Sequence, residues 1–148
     1  MSIPFHPQVK VERFTDAGPY LCSGVLIGPD LVLTAAQCVW NETTRAFDSI
    51  HLSPGPEKLP SGAIQLPVGE VLWRHVTIFK DYADEPDLPS GLQRDIALVK
   101  LVRPVGAQFG WLGIRAVKPL CGRGEEARLS IAAFAGDDPK STADDEFS

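Results

Sequence analysis

The glycines and prolines of this chain, 13 of each, are scattered along it and cut its apolar residues into short runs. The runs are Leu21–Ile27, Leu31–Thr34, Ile64–Val68, Glu70–Ile78, Ile96–Val102 and Leu129–Phe134. They are rich in Val, Ile and Leu. Between them lie turn signals: GPD at 28–30, SPGP at 53–56, LPSG at 59–62 and DLPSG at 87–91. Short runs of this kind between Pro/Gly turns predict an all-β chain, an antiparallel sandwich or barrel. No long 3.6-residue periodicity marks a sizeable helix, although TAAQCVW has room for one helical turn. The polar stretch Lys80–Gln93 carries two prolines and predicts a long surface loop. A soft boundary falls at Arg103–Gly106.

A length of 148 residues suits one domain or two small ones, and a hydrophobic fraction of 44% is enough for a core. The net charge of -5 argues against a nucleic-acid surface, which needs clustered Lys and Arg. Asp137, Asp138, Asp144, Asp145 and Glu146 crowd the end and predict a solvated acidic tail. No apolar run reaches the ~18 residues of a membrane helix. MSIPFHPQVK lacks the basic-then-apolar pattern of a signal peptide. The three cysteines, Cys22, Cys38 and Cys121, allow one disulfide and a leftover.

LCSGVLIGPDLVLTAAQCVW, residues 21–40, resembles the first half of the trypsin and chymotrypsin family of serine endopeptidases. In that family a Cys-bearing strand leads through a turn and an apolar strand to TAAHC, whose histidine is catalytic. RDIALVKL, Arg94–Leu101, resembles the family's aspartate motif. The resemblance puts Gln37 at the histidine position and Asp95 at the triad aspartate. It implies a Cys22–Cys38 disulfide, leaving Cys121 as a free thiol or the partner of a cysteine elsewhere. SGVLIGPDLVLTAA, GWLGI at 110–114 and AGDDP at 135–139 resemble the glutamyl-endopeptidase-like branch. The implied fold is two six-stranded antiparallel barrels with the active site between them. The expected domains are a first barrel over 1–103, a partial second barrel over 104–139 and the acidic tail over 140–148.

A serine hydroxyl needs a base that takes its proton and returns it, and imidazole suits the task. A buried carboxylate orients that imidazole and stabilises its cation. Asp95 fits the carboxylate's part. The amide of Gln37 has no proton-accepting nitrogen near neutral pH, although it can donate a hydrogen bond to Asp95. Loss of the histidine from such a triad costs about 10⁶ in turnover. The expected Gly-Asp/Asn-Ser-Gly context is also missing. Ser23 sits on a strand, Ser61 and Ser90 in turns, Ser130 in a strand-like run, and Ser141 and Ser148 in the tail. None has the glycines that shape an oxyanion hole. By the resemblance, the segment that carries the nucleophile is expected to follow the last of these residues.

His6, His51 and His75 are the histidines. His75, in LWRHVTIF, is the one candidate for a substitute base, and a packed or exposed strand histidine is the commoner case. No pair has zinc-ligand spacing and no Cys-x-x-Cys occurs, so no metal or cofactor is expected. Asn41-Glu42-Thr43 fits the glycosylation pattern. Trp40, Trp73 and Trp111 read as core or barrel-rim residues. A disulfide implies an oxidising, secreted or extracytoplasmic setting, in tension with the missing signal pattern. The readings of function are a protease-like binding module without hydrolysis, a serine endopeptidase seen in part, and an unrelated β-barrel. The expected partner is a protein or peptide, including a second chain that completes the second barrel, with neither nucleic acid nor membrane.

Overall fold

The computed structural model describes residues 6–84 and 93–114. Cys121, the Leu129–Phe134 run, AGDDP at 135–139 and the acidic tail lie outside the described residues, as do Ser90, Ser130, Ser141 and Ser148.

Gln8–Thr15 (β1) and Gly18–Leu26 (β2) form a hairpin in which Val11 faces Cys22 and Thr15 faces Gly18. Leu31–Thr34 (β3) folds back along the end of β2. Trp40–Asn41 (β4) and Ala46–Phe47 (β5) make a short ribbon of their own. Ser49–Pro54 (β6) returns to the other side of β1. Glu57–Lys58 (β7) and Ile64–Gln65 (β8) form a second ribbon. Trp73–Ile78 (β9) pairs with Ala97–Leu101 (β10), and β10 pairs with β3. The main sheet therefore runs β6-β1-β2-β3-β10-β9, antiparallel throughout.

The outer strands of this sheet come back to each other. Val71, just ahead of β9, donates its N–H to the Leu52 carbonyl at 2.8 Å. The Trp73 indole N–H reaches the Ile50 carbonyl at 3.3 Å. The result is the curled, all-β barrel sheet that the short runs predicted. Its inward positions follow the strand period of two: Val9 and Val11 on β1, Cys22 and Leu26 on β2, Val32 and Thr34 on β3, Ala97, Val99 and Leu101 on β10. Each fully buried Val or Leu contributes roughly 1.5–3 kcal/mol relative to exposure. Together they make one core.

Two sequence expectations are corrected here. The loop predicted from Lys80 opens instead with a short helix, Lys80–Asp84 (α1). Its Tyr82 is buried, and Lys80 pairs with Asp84 one turn on, so packing and an i,i+4 ion pair overcome the polar composition. Of the Ile64–Val68 run only Ile64–Gln65 forms a strand, and Ile64 is exposed, because β8 pairs with β7 outside the main sheet. Residues past the soft boundary at 103–106 also pack on this core. Gly106–Phe109 (α2) is fastened by the Gly106 N–H to the Pro29 carbonyl at 2.7 Å, and Val105 and Phe109 are buried.

Gly55 ends β6 with φ +62°, and a Cβ there would lie 2.2 Å from Phe109 Cε1. Replacement Gly55→Ala combines overpacking with backbone strain and should cost about 3 kcal/mol. Urea denaturation of the variant beside the parent chain measures this, and an unchanged midpoint would contradict the packing described.

Candidate active site

The site begins with a register. Ala97 of β10 lies opposite Thr34 of β3, so the residues just beyond each strand end, Asp95 and the 35–37 turn, are neighbours. Ala35 is still extended, and Ala36–Cys38 then closes a 3₁₀ turn, with the N–H of Cys38 and of Val39 bonded to the Ala35 and Ala36 carbonyls at 3.0 Å. Ala36, Cys38 and Val39 are buried and Gln37 is exposed. The apolar residues thus dock the turn on the core and turn position 37 outward. The Cys22–Cys38 disulfide is present, with Cα atoms 6.0 Å apart, and ties the turn to β2. Thr34, buried beside it, donates its hydroxyl to the Ser23 carbonyl at 2.9 Å.

Asp95 is half-buried, and its Oδ1 accepts the main-chain N–H of Gln37 at 3.0 Å. The sequence reading allowed a side-chain donor, and the carboxylate is met by the backbone N–H of Gln37. The contact needs only a peptide N–H, so it is independent of which side chain position 37 carries. The two residues assigned to the site by resemblance are therefore brought together.

Three residues that sequence reasoning did not single out surround this contact. Arg13 of β1 donates from Nη1 to the Gln37 carbonyl at 2.8 Å and to the Trp40 carbonyl. Tyr82 of α1 donates its hydroxyl to Glu42 Oε1 at 3.0 Å. Burial, then this hydrogen bond, then the negative charges of Asp95 and Glu42 push the Tyr82 phenol well above the usual tyrosine range, with Arg13 acting against them. The signal for Arg13 was available: a charge in the inward phase of QVKVERF demands partners. For Tyr82 no local pattern pointed to burial.

The histidines stay apart from Asp95. His75 is exposed on β9 opposite Lys100, three residues short of Ile78, the residue facing Ala97. At ~3.3 Å per residue that is about 10 Å along the strand. His51 pairs with Glu70 and packs on Phe14 at 4.4 Å between centroids, and the His6 N–H is bonded to the Phe109 carbonyl. Ser23 lies mid-strand opposite Lys10, and Ser61 Oγ accepts the Ala63 N–H in its own turn. The Asn41 side chain accepts from Thr43 and Thr44 N–H and donates Nδ2 to Asp48 at 3.1 Å, so a glycan on Nδ2 would compete with Asp48. Trp40 packs against the core and edge-on to Phe47, while Trp111 is largely exposed. Among the described residues no three His, Cys, Asp or Glu side chains converge as metal ligands would.

A curled antiparallel sheet, a disulfide-anchored turn and an aspartate bonded to that turn define a trypsin-like β-barrel. The chain belongs to the trypsin family, whose model matches residues 2–132. Solved structures share the fold. A Glu endopeptidase is 21% identical with a TM-score of 0.62, the match covering 80% of this chain and 50% of that one. The protease Anisep from Arthrobacter nicotinovorans is 18% identical at 0.61, covering 81% and 54%. A thermostable serine protease from an extremophilic microorganism is 18% identical at 0.63, covering 78% and 53%. The chain thus spans about half the length of the solved proteases it matches.

Two outcomes are expected. Replacing Cys22 and Cys38 together by Ala should cost about 3 kcal/mol on the loop-entropy account of a 16-residue separation, measurable by denaturation under non-reducing conditions. Tyr82, whose folded-state pKa is raised, favours the fold fully below the ~10 of an unfolded tyrosine, and that contribution is lost as pH rises further. Unfolding free energy should therefore fall above pH ~10, and Tyr82→Phe should flatten the fall. An equal slope in both proteins would remove this assignment.

Proposed function

We propose that this chain is a trypsin-family domain that keeps the scaffold of the site and binds protein or peptide without hydrolysing it. The observation that carries the reading is Gln37 itself. It stands at the turn beside Asp95, where the family places its base, and an amide cannot take and return a proton near neutral pH. The nearest alternatives, His51 and His75, are engaged or positioned elsewhere on the barrel. The disulfide favours a secreted or extracytoplasmic setting, and no helix among the described residues is long and apolar enough to cross a membrane. The Glu endopeptidase among the structural matches is in keeping with the glutamyl-endopeptidase-like branch.

A second reading is a serine endopeptidase whose nucleophile is supplied by polypeptide beyond these residues. The half-length match to the solved proteases favours it. The two readings separate on one pair of measurements. The purified chain should neither turn over a peptide ester nor react with a fluorophosphonate, and turnover that scales with its concentration and stops with a serine-directed inhibitor would end the non-hydrolytic reading. Substitution Gln37→His should leave the chain inert under the first reading. Under the second it should raise ester hydrolysis by orders of magnitude once the missing portion is present.

A further inference from the structure

β1 alternates, and Val9, Val11 and Arg13 fall on its inward side. The two valines are fully buried, and Arg13 takes the next place in the row. A guanidinium in a core-facing position must be met by acceptors, or its desolvation is uncompensated. Here the acceptors are main-chain carbonyls of the site turn and of the strand that leaves it. Nη1 holds Gln37 O at 2.8 Å and also Trp40 O. Nε lies 3.5 Å from Asp48 Oδ2 but has no hydrogen-bond partner among the described residues, so the Nη1 contacts set the side chain's position. The guanidinium also covers the ring of Tyr20, its cross-strand neighbour, at 5.1 Å. Asp48 is held in turn by Asn41 and by its own N–H to the Val39 carbonyl.

The disulfide fastens the turn through the Cys38 side chain. Arg13 fastens it through carbonyls on either side of that cysteine, and Gln37, whose carbonyl it holds, is the residue whose own N–H is aimed at Asp95. We infer that Arg13 is a positioning residue for position 37, holding the turn so that the Gln37 N–H stays on Asp95. This goes beyond the proposed function, and its test does not read hydrolysis.

An amide proton donated to a carboxylate changes its NMR shift when the carboxylate is protonated, which gives this bond a signature separate from overall stability. The acid titration of the Gln37 amide is recorded in the parent chain, in Arg13→Met, in Arg13→Gln and in Val76→Ala. The last is a half-buried β9 change that destabilises the barrel with Arg13 intact. The parent and Val76→Ala should show the acid-induced shift. Both Arg13 variants should lose it, and their Gln37 amide should exchange roughly tenfold faster relative to the Val99 amide, as expected on losing a charge-assisted hydrogen bond that holds the turn. An Arg13 variant that folds with the shift and the exchange ratio intact overturns the inference. So does failure of both Arg13 variants to fold, which would make Arg13 a general stability residue.

Discussion

The antiparallel pairing of Leu31–Thr34 with Ala97–Leu101 brings together segments separated by most of the barrel's sequence, and the site exists only where they meet. Because side chains alternate with period two, a slip of one residue would turn Ala97, Val99 and Leu101 out of the core. The same slip would move Asp95 off the turn that bears Gln37. Burial of the apolar row on each strand and alignment of the site are therefore one constraint. The cost of exposing three buried side chains protects the carboxylate's position far more strongly than its single hydrogen bond does.

Within that frame, neither element holding the turn depends on catalysis. The disulfide restrains the chain between Cys22 and Cys38, and the guanidinium of Arg13 occupies the Gln37 carbonyl, which the 3₁₀ turn leaves without a helical partner, and the Trp40 carbonyl at the start of β4. The Asp95 carboxylate is met by a peptide N–H, which every residue except proline supplies. The hydrogen bonding that joins this turn to Asp95 therefore does not depend on the side chain at position 37. Shape and chemistry are separable at this position because one resides in the backbone and the other in the side chain.

The two residue groups that carry the resemblance, LCSGVLIGPDLVLTAAQCVW and RDIALVKL, were legible because each is a local string whose spacing is dictated by its own strand and turn. β1 and β6 carry no apolar run to mark them: Lys10, Glu12 and Arg13 interrupt β1, although QVKVERFT alternates, and Ser49, His51 and Ser53 interrupt β6. Helix α1 is unmarked for another reason. Its few residues have a loop's composition, and burial of Tyr82 against distant elements, with a hydrogen bond to Glu42 forty positions earlier, is what orders it.

By itself, the sequence determined the all-β class, because short apolar runs between Pro/Gly turns are a local pattern, while its resemblance to the family implied the Cys22–Cys38 pairing and pointed to positions 37 and 95. Tertiary structure alone decided how Asp95 is satisfied, what Arg13 holds, and that Val105 and Phe109 join the first core. Those outcomes depend on which strand lies beside which and at what register, and that is settled by the summed burial of residues far apart in the chain rather than by any local pattern.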